Sequence, residues 1–387
     1  MARLGDICEV LNGYAFKSEK YTSSGVRIIR IANVQKGYIE DTAPAFYPID
    51  TTDIEKYTLY EDDLLISLTG NVGRVALLKK EFLPAALNQR VACLRLKDSA
   101  QYDKSFLYCF LNSDYFENKC IQSAKGVAQK NMSTEWLKEY QIPNLSLVEQ
   151  KEIAAVLNKI SELISARTMQ LSKMDKFVKS RFIELFGMPG TDAFGWGLVP
   201  LGSTCNINPK KSLDSRLVSG AVVSFVPMPA VTEHGEIDAT AIKEYDEVKT
   251  GFTYFAENDV LFAKITPCME NGKGAVAKGL HNGIGFGSTE FHVLRPISGK
   301  TDPYWIYTLT AFSQFRMNAA SNMTGSAGQR RVPASFLENY RVSLPPIALQ
   351  EQFAAFVEQT DKSKLAIQQS LEKLETLKKA LMQQYFG

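Results

Sequence analysis

Polar residues beside glycines, in loops that recur in two copies along the chain, are the first candidates for chemistry. One loop follows an apolar segment ending at Ile66, and its counterpart follows a segment ending at Phe262. Glycine lets the backbone approach a surface closely, and Ser, Thr, Asn, Arg and Lys side chains can bond to base edges or phosphates. A plain glycine turn between strands is the alternative. The candidates for nucleic-acid contact in this first pair of loops are Ser67, Thr69, Asn71, Arg74, Lys264, Thr266, Asn271 and Lys273.

A second pair of loops has side chains suited to base recognition. Asn88, Gln89 and Arg90 stand in one copy, and residues 288–290, which include Thr289, stand in the other. Asn and Gln can bind adenine through two hydrogen bonds, and Arg can bind guanine in the same way. The second copy has Glu290 where the first has Arg90, which fits either two different specificities or no role in DNA binding.

Two further pairs of loops carry basic residues. The third pair has a glycine followed by Gln and basic or amide residues, and a solvated loop is the alternative to a binding loop. Its candidates are Lys125, Gln129, Lys130 and Asn131 in one copy, and Gln329, Arg330 and Arg331 in the other. The fourth pair would form a phosphate-facing edge, although surface lysines usually bind nothing specific. Its candidates are Lys17, Arg27, Arg30, Lys210 and Lys211.

Motifs for catalysis or cofactor binding are absent from the sequence. Residues 271–274 lack the spacing of a nucleotide-binding P-loop, and residues 208–211 lack the second proline and the aromatic residue of an amino-methyltransferase motif. The six cysteines show no CxxC spacing, and the three histidines lack the spacing of metal ligands. We therefore expect reduced cysteines, no metal, no cofactor and no catalytic site.

The elements that must position these loops occur twice. Residues 150–157 align without a gap on residues 350–357, and the pairs Asp63 and Asp259, Leu4 and Leu201 also correspond. Two copies of one unit joined head to tail favour a two-fold arrangement in space, which suits a bipartite target.

Each copy is predicted to be a mixed α/β globule followed by one long helix. Residues 26–31, 64–68 and 91–96 are predicted strands, and residues 103–123 are predicted to form an amphipathic helix. In both long helices apolar residues alternate at steps of four and three, which is typical of a coiled-coil interface. The interface residues are Ile153, Leu157, Ile160, Ile164, Leu171, Met174, Val178, Leu185, Phe353, Val357, Ile367, Leu371, Leu374 and Leu381.

The predicted fold class is therefore α+β, with two similar mixed α/β domains separated by two long helices that pair as an antiparallel coiled coil in a pseudo-two-fold arrangement. The predicted domains are residues 1–145 and 188–345, and the predicted helices are residues 146–187 and 346–387. That each helix packs only on its own globule is the alternative. The formal net charge is +2, so any nucleic-acid contact must come from local placement of charge. With no signal-peptide-like or membrane-spanning apolar run, we expect a cytoplasmic location.

This duplicated layout resembles the specificity subunit of type I restriction-modification systems. The resemblance spans almost the whole chain and is carried by residues 142–157 and 342–357, by residues 185–187, and by Leu201 and Gly202 after Trp196. One departure is Ser343, which stands where the first copy has Pro143.

The resemblance implies a non-catalytic subunit whose two recognition domains each bind one half of a bipartite, usually adenine-containing DNA site. It implies that the paired helices set the gap between the half-sites. Partners would be two modification (methyltransferase) subunits that bind S-adenosylmethionine, together with restriction subunits that add a translocase and a nuclease. A helical scaffold that does not touch DNA, and an enzyme with its own methyl-transfer or nuclease activity, are the alternatives.

Overall fold

The computed structural model describes residues 1–49, 54–98, 101–124, 131–326 and 328–387. The chain divides into two compact units, and each unit contains one globule and parts of both long helices. The first unit comprises residues 1–167 and 370–387, and the second comprises residues 168–369.

The first unit contains two four-stranded sheets. One is antiparallel, with Val91–Leu96 between Cys8–Asn12 and Leu64–Ser67, and with Val75–Leu77 beyond Leu64–Ser67. The other is mixed, because Val26–Ile29 and Ala85–Leu87 pair in parallel. The remaining strands of this unit are Phe46–Tyr47, Thr58–Leu59, Ala2–Arg3, Gln141–Ile142, Val34–Gln35 and Tyr38–Ile39.

The second unit repeats both sheets with the same strand order. Phe291–Pro296 lies between Cys205–Ile207 and Val260–Ala263, and Gly274–Val276 lies at the edge. In the mixed sheet Val222–Val226 pairs in parallel with Ile284–Gly287. The remaining strands are Ile242–Glu244, Thr253–Ala256, Leu198–Pro200 and Arg341–Ser343. The repeat seen in the sequence is therefore a repeat of topology.

Short helices cover the sheets in both units. The predicted helix over residues 103–123 is in fact two helices, Lys104–Leu111 and Asp114–Ser123, because the Ser113 hydroxyl accepts a hydrogen bond from the Phe116 amide at 3.2 Å and starts a new helix. The other short α-helices are Leu4–Ile7, Thr134–Glu139, Tyr245–Val248, Pro303–Ala311, Ser313–Ser321 and Ala334–Asn339. The 3₁₀ helices are Ser18–Lys20, Ile31–Asn33, Ile54–Tyr57, Lys80–Phe82, Leu201–Ser203, Lys211–Leu213, Met228–Ala230 and His281–Gly283.

Both long helices predicted from the heptad spacing are confirmed. They span Leu147–Phe186 and Ile347–Phe386, and each has 40 residues without a proline. Gly187 follows the last residue of the first helix, and its φ of +77° lies in the left-handed region that glycine adopts without strain. Among the described helices, none is long and apolar enough to cross a membrane.

Each long helix contributes to the cores of both units. Ala154 and Leu157 of the first helix lie in the core of the first unit, whereas Phe182 and Phe186 of the same helix lie in the core of the second. The second helix does the reverse, since Phe353 lies in the second core and Phe386 in the first. The alternative that each helix packs only on its own globule is therefore excluded.

A buried glutamine joins each long helix to the globule beside it. Gln150 accepts a hydrogen bond from the Asp103 amide at 2.8 Å and donates to the Leu145 and Gln101 carbonyls at 2.9 and 3.2 Å. Gln350 is bonded in the same way to the Asp302 amide at 3.0 Å and to the Pro345 and Lys300 carbonyls at 2.8 and 3.1 Å. Both side chains are fully buried. The repeated Gln in the aligned segments of the sequence is thus explained by this contact.

Replacing Gln350 with Leu should destabilise the second unit. The change leaves one amide and two carbonyl groups without their partner, and a buried polar group left unpaired costs about 1–3 kcal/mol. We expect a loss of about 2–4 kcal/mol in the free energy of unfolding, measured by urea denaturation. Gln352→Leu, on the exposed face of the same helix, is the matched control and should change the stability by less than about 0.5 kcal/mol. Equal effects of the two changes would contradict the role assigned to Gln350.

An ion pair is also repeated at matching places in the two antiparallel sheets. Asp63 binds Arg95 with contacts of 2.9 and 2.6 Å, and Asp259 binds Arg295 with contacts of 2.8 and 2.7 Å. Each aspartate also accepts a backbone hydrogen bond, from Tyr60 or from Ala256. Both carboxylates are buried with all their bonds made within the protein, so these pairs hold strands together and are not available to a ligand.

Candidate nucleic-acid interface

Three of the predicted loops meet at one end of the two central strands of the antiparallel sheet in the first unit. Ser67 ends one of these strands and pairs with Val91, which begins the other, so the loops that continue from them lie side by side. The Leu68 amide donates to the Arg90 carbonyl at 3.0 Å, and the Met132 amide donates to the Leu68 carbonyl at 2.9 Å. We call residues 67–74, 88–90 and 131 the first loop cluster.

The second unit brings the corresponding loops together with the same backbone hydrogen bonds. The Lys264 amide donates to the Glu290 carbonyl at 2.9 Å, and the Val332 amide donates to the Lys264 carbonyl at 2.9 Å. We call residues 263–273, 288–290, 324–326 and 328–331 the second loop cluster. These bonds match the two units residue by residue, so Arg90 corresponds to Glu290. Asn131 corresponds to Arg331, because each forms the equivalent bridge, to Thr69 or to Ile265.

The first loop cluster exposes amide and guanidinium side chains. Gln89, Arg90, Asn71 and Asn131 are exposed, and Asn88 is half-buried. Within the part of the chain that the structure describes, the Arg90 guanidinium makes no hydrogen bond or ion pair. Three further candidates, Lys125, Gln129 and Lys130, lie outside the described residues.

Some predicted contact residues of the first unit are engaged inside the loop itself. Ser67 is fully buried, and its hydroxyl accepts a hydrogen bond from the Arg74 amide at 3.0 Å and also bonds to the Asn71 carbonyl. Thr69 is 8% exposed, and the Arg74 guanidinium bonds to the Gln35 side chain. These residues shape the loop, and their direct contact with nucleic acid stays a prediction.

The basic residues of the fourth pair of loops differ in their surroundings. Arg27 forms an ion pair with Asp41 and lies 4.9 Å from the centre of the Phe46 ring. Arg30 donates to the Ala43 carbonyl. Lys17 and Lys210 are exposed, whereas Lys211 donates to the Lys249 carbonyl. Of this set, Lys17 and Lys210 are the exposed residues, and their contact with phosphate stays a prediction.

The second loop cluster contains charges of both signs. The guanidinium of Arg331 forms a two-point ion pair with Glu290, with Nε–Oε2 and Nη2–Oε1 distances of 2.9 Å. This contact holds the pKa of Glu290 below its usual value, so the carboxylate stays charged at neutral pH. Arg330 lies 3.5 Å from Glu270. The pairing of Arg331 with Glu290 could not be predicted from the sequence pattern, because it joins residues of two separate loops.

The other predicted residues of the second unit fall into two groups. Asn271, Thr289 and Gln329 are exposed. Lys273 donates to the Val231 and Met228 carbonyls at 3.1 and 3.4 Å, and Thr266 donates to the Arg330 carbonyl at 3.3 Å. Lys264 is half-buried. The exposed group can reach a ligand, and the bonded group supports the loop.

The predicted interface residues all lie on the side of each long helix that is shielded from solvent. Each of the fourteen is buried or half-buried, whereas Leu163, Met169, Leu365 and Leu377 of the same helices are exposed. In the second unit Phe186 contacts Phe353 with ring centres 5.4 Å apart, and Phe177 contacts Phe356 at 5.1 Å. Within this unit the two helices therefore run antiparallel. Coiled-coil packing along their whole length stays a prediction.

Groups suited to metal binding are missing from the described residues, and most of the cysteines are buried. No group of three or more His, Cys, Asp or Glu there could hold a metal ion. The six cysteines are unbonded, and burial raises the pKa of Cys8 and Cys205 to about 12. The two loop clusters carry hydrogen-bond donors and acceptors at the ends of paired strands. Such an arrangement is suited to binding a ligand.

Comparison with known proteins identifies one family. The family model for the type I restriction modification DNA specificity domain matches residues 1–173 and 195–378. The chain is 43% identical over 153 residues to the type I restriction enzyme EcoEI specificity subunit of Escherichia coli, a match covering 39% of this chain and 25% of that protein. It is 36% identical over 214 residues to the EcoAI specificity subunit of the same species, covering 53% of this chain and 35% of that protein.

The matched segments thus span about a quarter and about a third of the length of these two relatives. Among solved structures, the S subunit of a type I restriction-modification system from M. genitalium superposes with a TM-score of 0.58 at 16% identity. That match covers 100% of this chain and 95% of the other chain. At this level of identity the likeness shows a shared fold.

Proposed function

Because this chain belongs to the family of type I restriction modification DNA specificity domains, we propose that it is the DNA-binding specificity subunit of a type I restriction-modification complex. Each unit recognises one half of a bipartite, asymmetric site through its loop cluster. The two long helices set the gap between the half-sites and bind two methyltransferase subunits, which restriction subunits join. The subunit itself has no catalytic role, and it acts on double-stranded DNA in the cytoplasm.

One observation carries this proposal: the two loop clusters share their backbone hydrogen bonds but not their side chains. The same frame holds Arg90 and Asn131 in the first unit and Glu290 and Arg331 in the second. A backbone frame that stays constant while its polar side chains change is suited to recognising two different sequences with one architecture. Two unlike half-sites make the whole site asymmetric.

Replacing Gln89 and Arg90 together with Ala should alter recognition of one half-site only. Both side chains are exposed in the first loop cluster, and a two-point contact to a base contributes about 1–3 kcal/mol of discrimination. We expect the purified complex with methyltransferase subunits to lose about 10- to 100-fold of its preference at one or two positions of one half-site. The measurement is selection of bound duplexes from a library in which both half-sites are randomised.

Lys104→Ala is the matched control for this change. Lys104 is partly exposed and contacts Asp62 at 3.3 Å, at the opposite end of the strand Leu64–Ser67 from the loop cluster. This variant should leave both half-sites unchanged. A wild-type complex that selects no bases, or a double variant that selects the same bases as the wild type, would contradict recognition by the first loop cluster.

A further inference from the structure

Arg331 is fixed at its main chain on both sides. Its amide donates to the Thr324 carbonyl at 2.8 Å and its carbonyl accepts from the Thr324 amide at 3.0 Å. The next residue, Val332, is buried and bonds to the Lys264 carbonyl at 2.9 Å. An arginine that is partly exposed and whose backbone is held in this way has a defined position before it binds a ligand, so less conformational entropy is lost on binding.

The guanidinium of Arg331 is also held in one orientation. Its Nε lies 2.9 and 3.2 Å from the two Glu290 oxygens, its Nη2 lies 2.9 Å from Glu290 Oε1, and its Nη1 donates to the Gln329 carbonyl at 3.2 Å. A guanidinium has five N–H donors. Glu290 occupies the Nε–Nη2 edge and the Gln329 carbonyl takes one N–H of Nη1. One N–H is left on each terminal nitrogen, and the side chain is 41% exposed.

Two N–H groups on neighbouring nitrogens match a pair of acceptors about as far apart as N7 and O6 of guanine in the major groove. A phosphate would also accept them. However, the Glu290 carboxylate cancels much of the positive charge and would itself be repelled by the DNA backbone. The pair therefore loses most of its attraction for phosphate while it keeps the direction of its hydrogen bonds.

Glu290 is placed to orient the arginine and not to contact the base. Its amide donates to the Ser288 hydroxyl at 3.2 Å and its carbonyl accepts from the Lys264 amide at 2.9 Å. Its side chain is 24% exposed and both oxygens face Arg331. In the first unit the matching positions hold Arg90 and Asn131. The pair of an arginine with an orienting glutamate at these positions is therefore found in the second unit and not in the first.

We propose that Arg331 recognises a guanine in the half-site bound by the second unit, and that Glu290 is its positioning residue. This inference rests on the proposed function, since it assigns one base contact within that DNA-recognition role. The inference implies that the second loop cluster binds a half-site that contains at least one guanine.

The test is duplex selection by the complex of the full chain with methyltransferase subunits, using Arg331→Lys, Glu290→Gln and Arg216→Lys. Arg331→Lys keeps the charge but loses the two-point geometry. It should reduce the guanine preference at one position about 10- to 100-fold, with the other half-site unchanged. Arg216→Lys is the control, because Arg216 also forms a two-point ion pair, with Asp214 at 2.9 and 2.7 Å, but lies outside the second loop cluster, and it should keep the wild-type preference.

Glu290→Gln separates a positioning role from a merely structural one. It should weaken the guanine preference at the same position and steepen the dependence of binding on salt, because the charge of Arg331 is no longer paired. A loss of preference spread over the whole half-site, with a lower thermal unfolding temperature, would instead show that the pair only supports the loop, and the inference would be wrong.

The outcomes also separate this inference from the proposed function. If the wild-type complex selects a bipartite site but Arg331→Lys keeps every base preference, or no guanine is selected in either half-site, the inference fails and the function stands. If Arg331→Ala weakens binding to all sequences equally, Arg331 contacts phosphate and the inference fails. If the wild-type complex selects no sequence at all, the proposed function fails with it.

Discussion

Insertion of seven residues into each long helix, after Leu171 and after Ile367, should lengthen the gap between the half-sites by about 3 base pairs. Seven helical residues add about 10 Å, and successive base pairs are about 3.4 Å apart. The insertion points follow from the contacts of the second unit, where Asp175 of the first helix bonds to Lys364 of the second at 2.6 Å. A whole heptad in each helix keeps the apolar positions in phase.

The measurement is methylome sequencing of a host that expresses the variant with its methyltransferase subunits. The bases of both half-sites should stay the same while the unspecified gap grows. Insertion into one helix alone is the control, and it should abolish methylation because the apolar residues of the two helices no longer match. Altered half-site bases with the original gap would show that the helices do not set the spacing.

Replacing Phe353 with Ala should destabilise the second unit by about 3–5 kcal/mol, as expected for removal of a fully buried phenyl ring. The Phe353 ring lies edge-to-face against Phe182 and Phe186, with ring centres 5.5 and 5.4 Å away. Its side chain is fully buried. Since natural domains are stable by about 5–15 kcal/mol, the loss should remove a large part of the stability of this unit.

Thermal unfolding followed by circular dichroism measures this effect. Leu365→Ala is the matched control, because Leu365 lies on the same helix within the same unit but is 56% exposed. The control should shift the stability by less than about 0.5 kcal/mol. A shift below about 1 kcal/mol for Phe353→Ala would mean that the two helices contribute little to the core of this unit.

The long helices were predictable because the sequence pattern that indicates a helix lies within a short stretch of chain. Apolar residues at heptad spacing and the absence of proline are readable in a short window, and the predicted strand over residues 91–96 was found as Val91–Leu96 for a similar reason. The break at Ser113 was not predictable in this way. Phe106, Phe110, Phe116 and Cys120 are all buried, so the apolar spacing runs on through a point where a side-chain cap starts a new helix.

The candidate site was predictable as a set of loops but not as an arrangement. Glycines and repeated polar residues identify the loops, whereas their convergence depends on strand pairing such as that of Val91 with Ser67. The sequence shows Glu290 only as a departure from Arg90. Its partner Arg331 is 41 positions away along the chain, and only the folded backbone brings the two together.

The packing of Phe386 has a consequence for how the protein is made. Its ring is buried in the first unit against Phe106 and Phe110, with ring centres 5.7 and 5.3 Å apart. These phenylalanines leave the ribosome long before Phe386 is synthesised, and the whole second unit is synthesised in between. Until Phe386 packs, the apolar surface that it covers at Phe106 and Phe110 is therefore open to solvent, and chaperones can bind it. A chain truncated before the second long helix lacks Phe386 and leaves this apolar surface uncovered, which exposes the protein to aggregation and proteolysis.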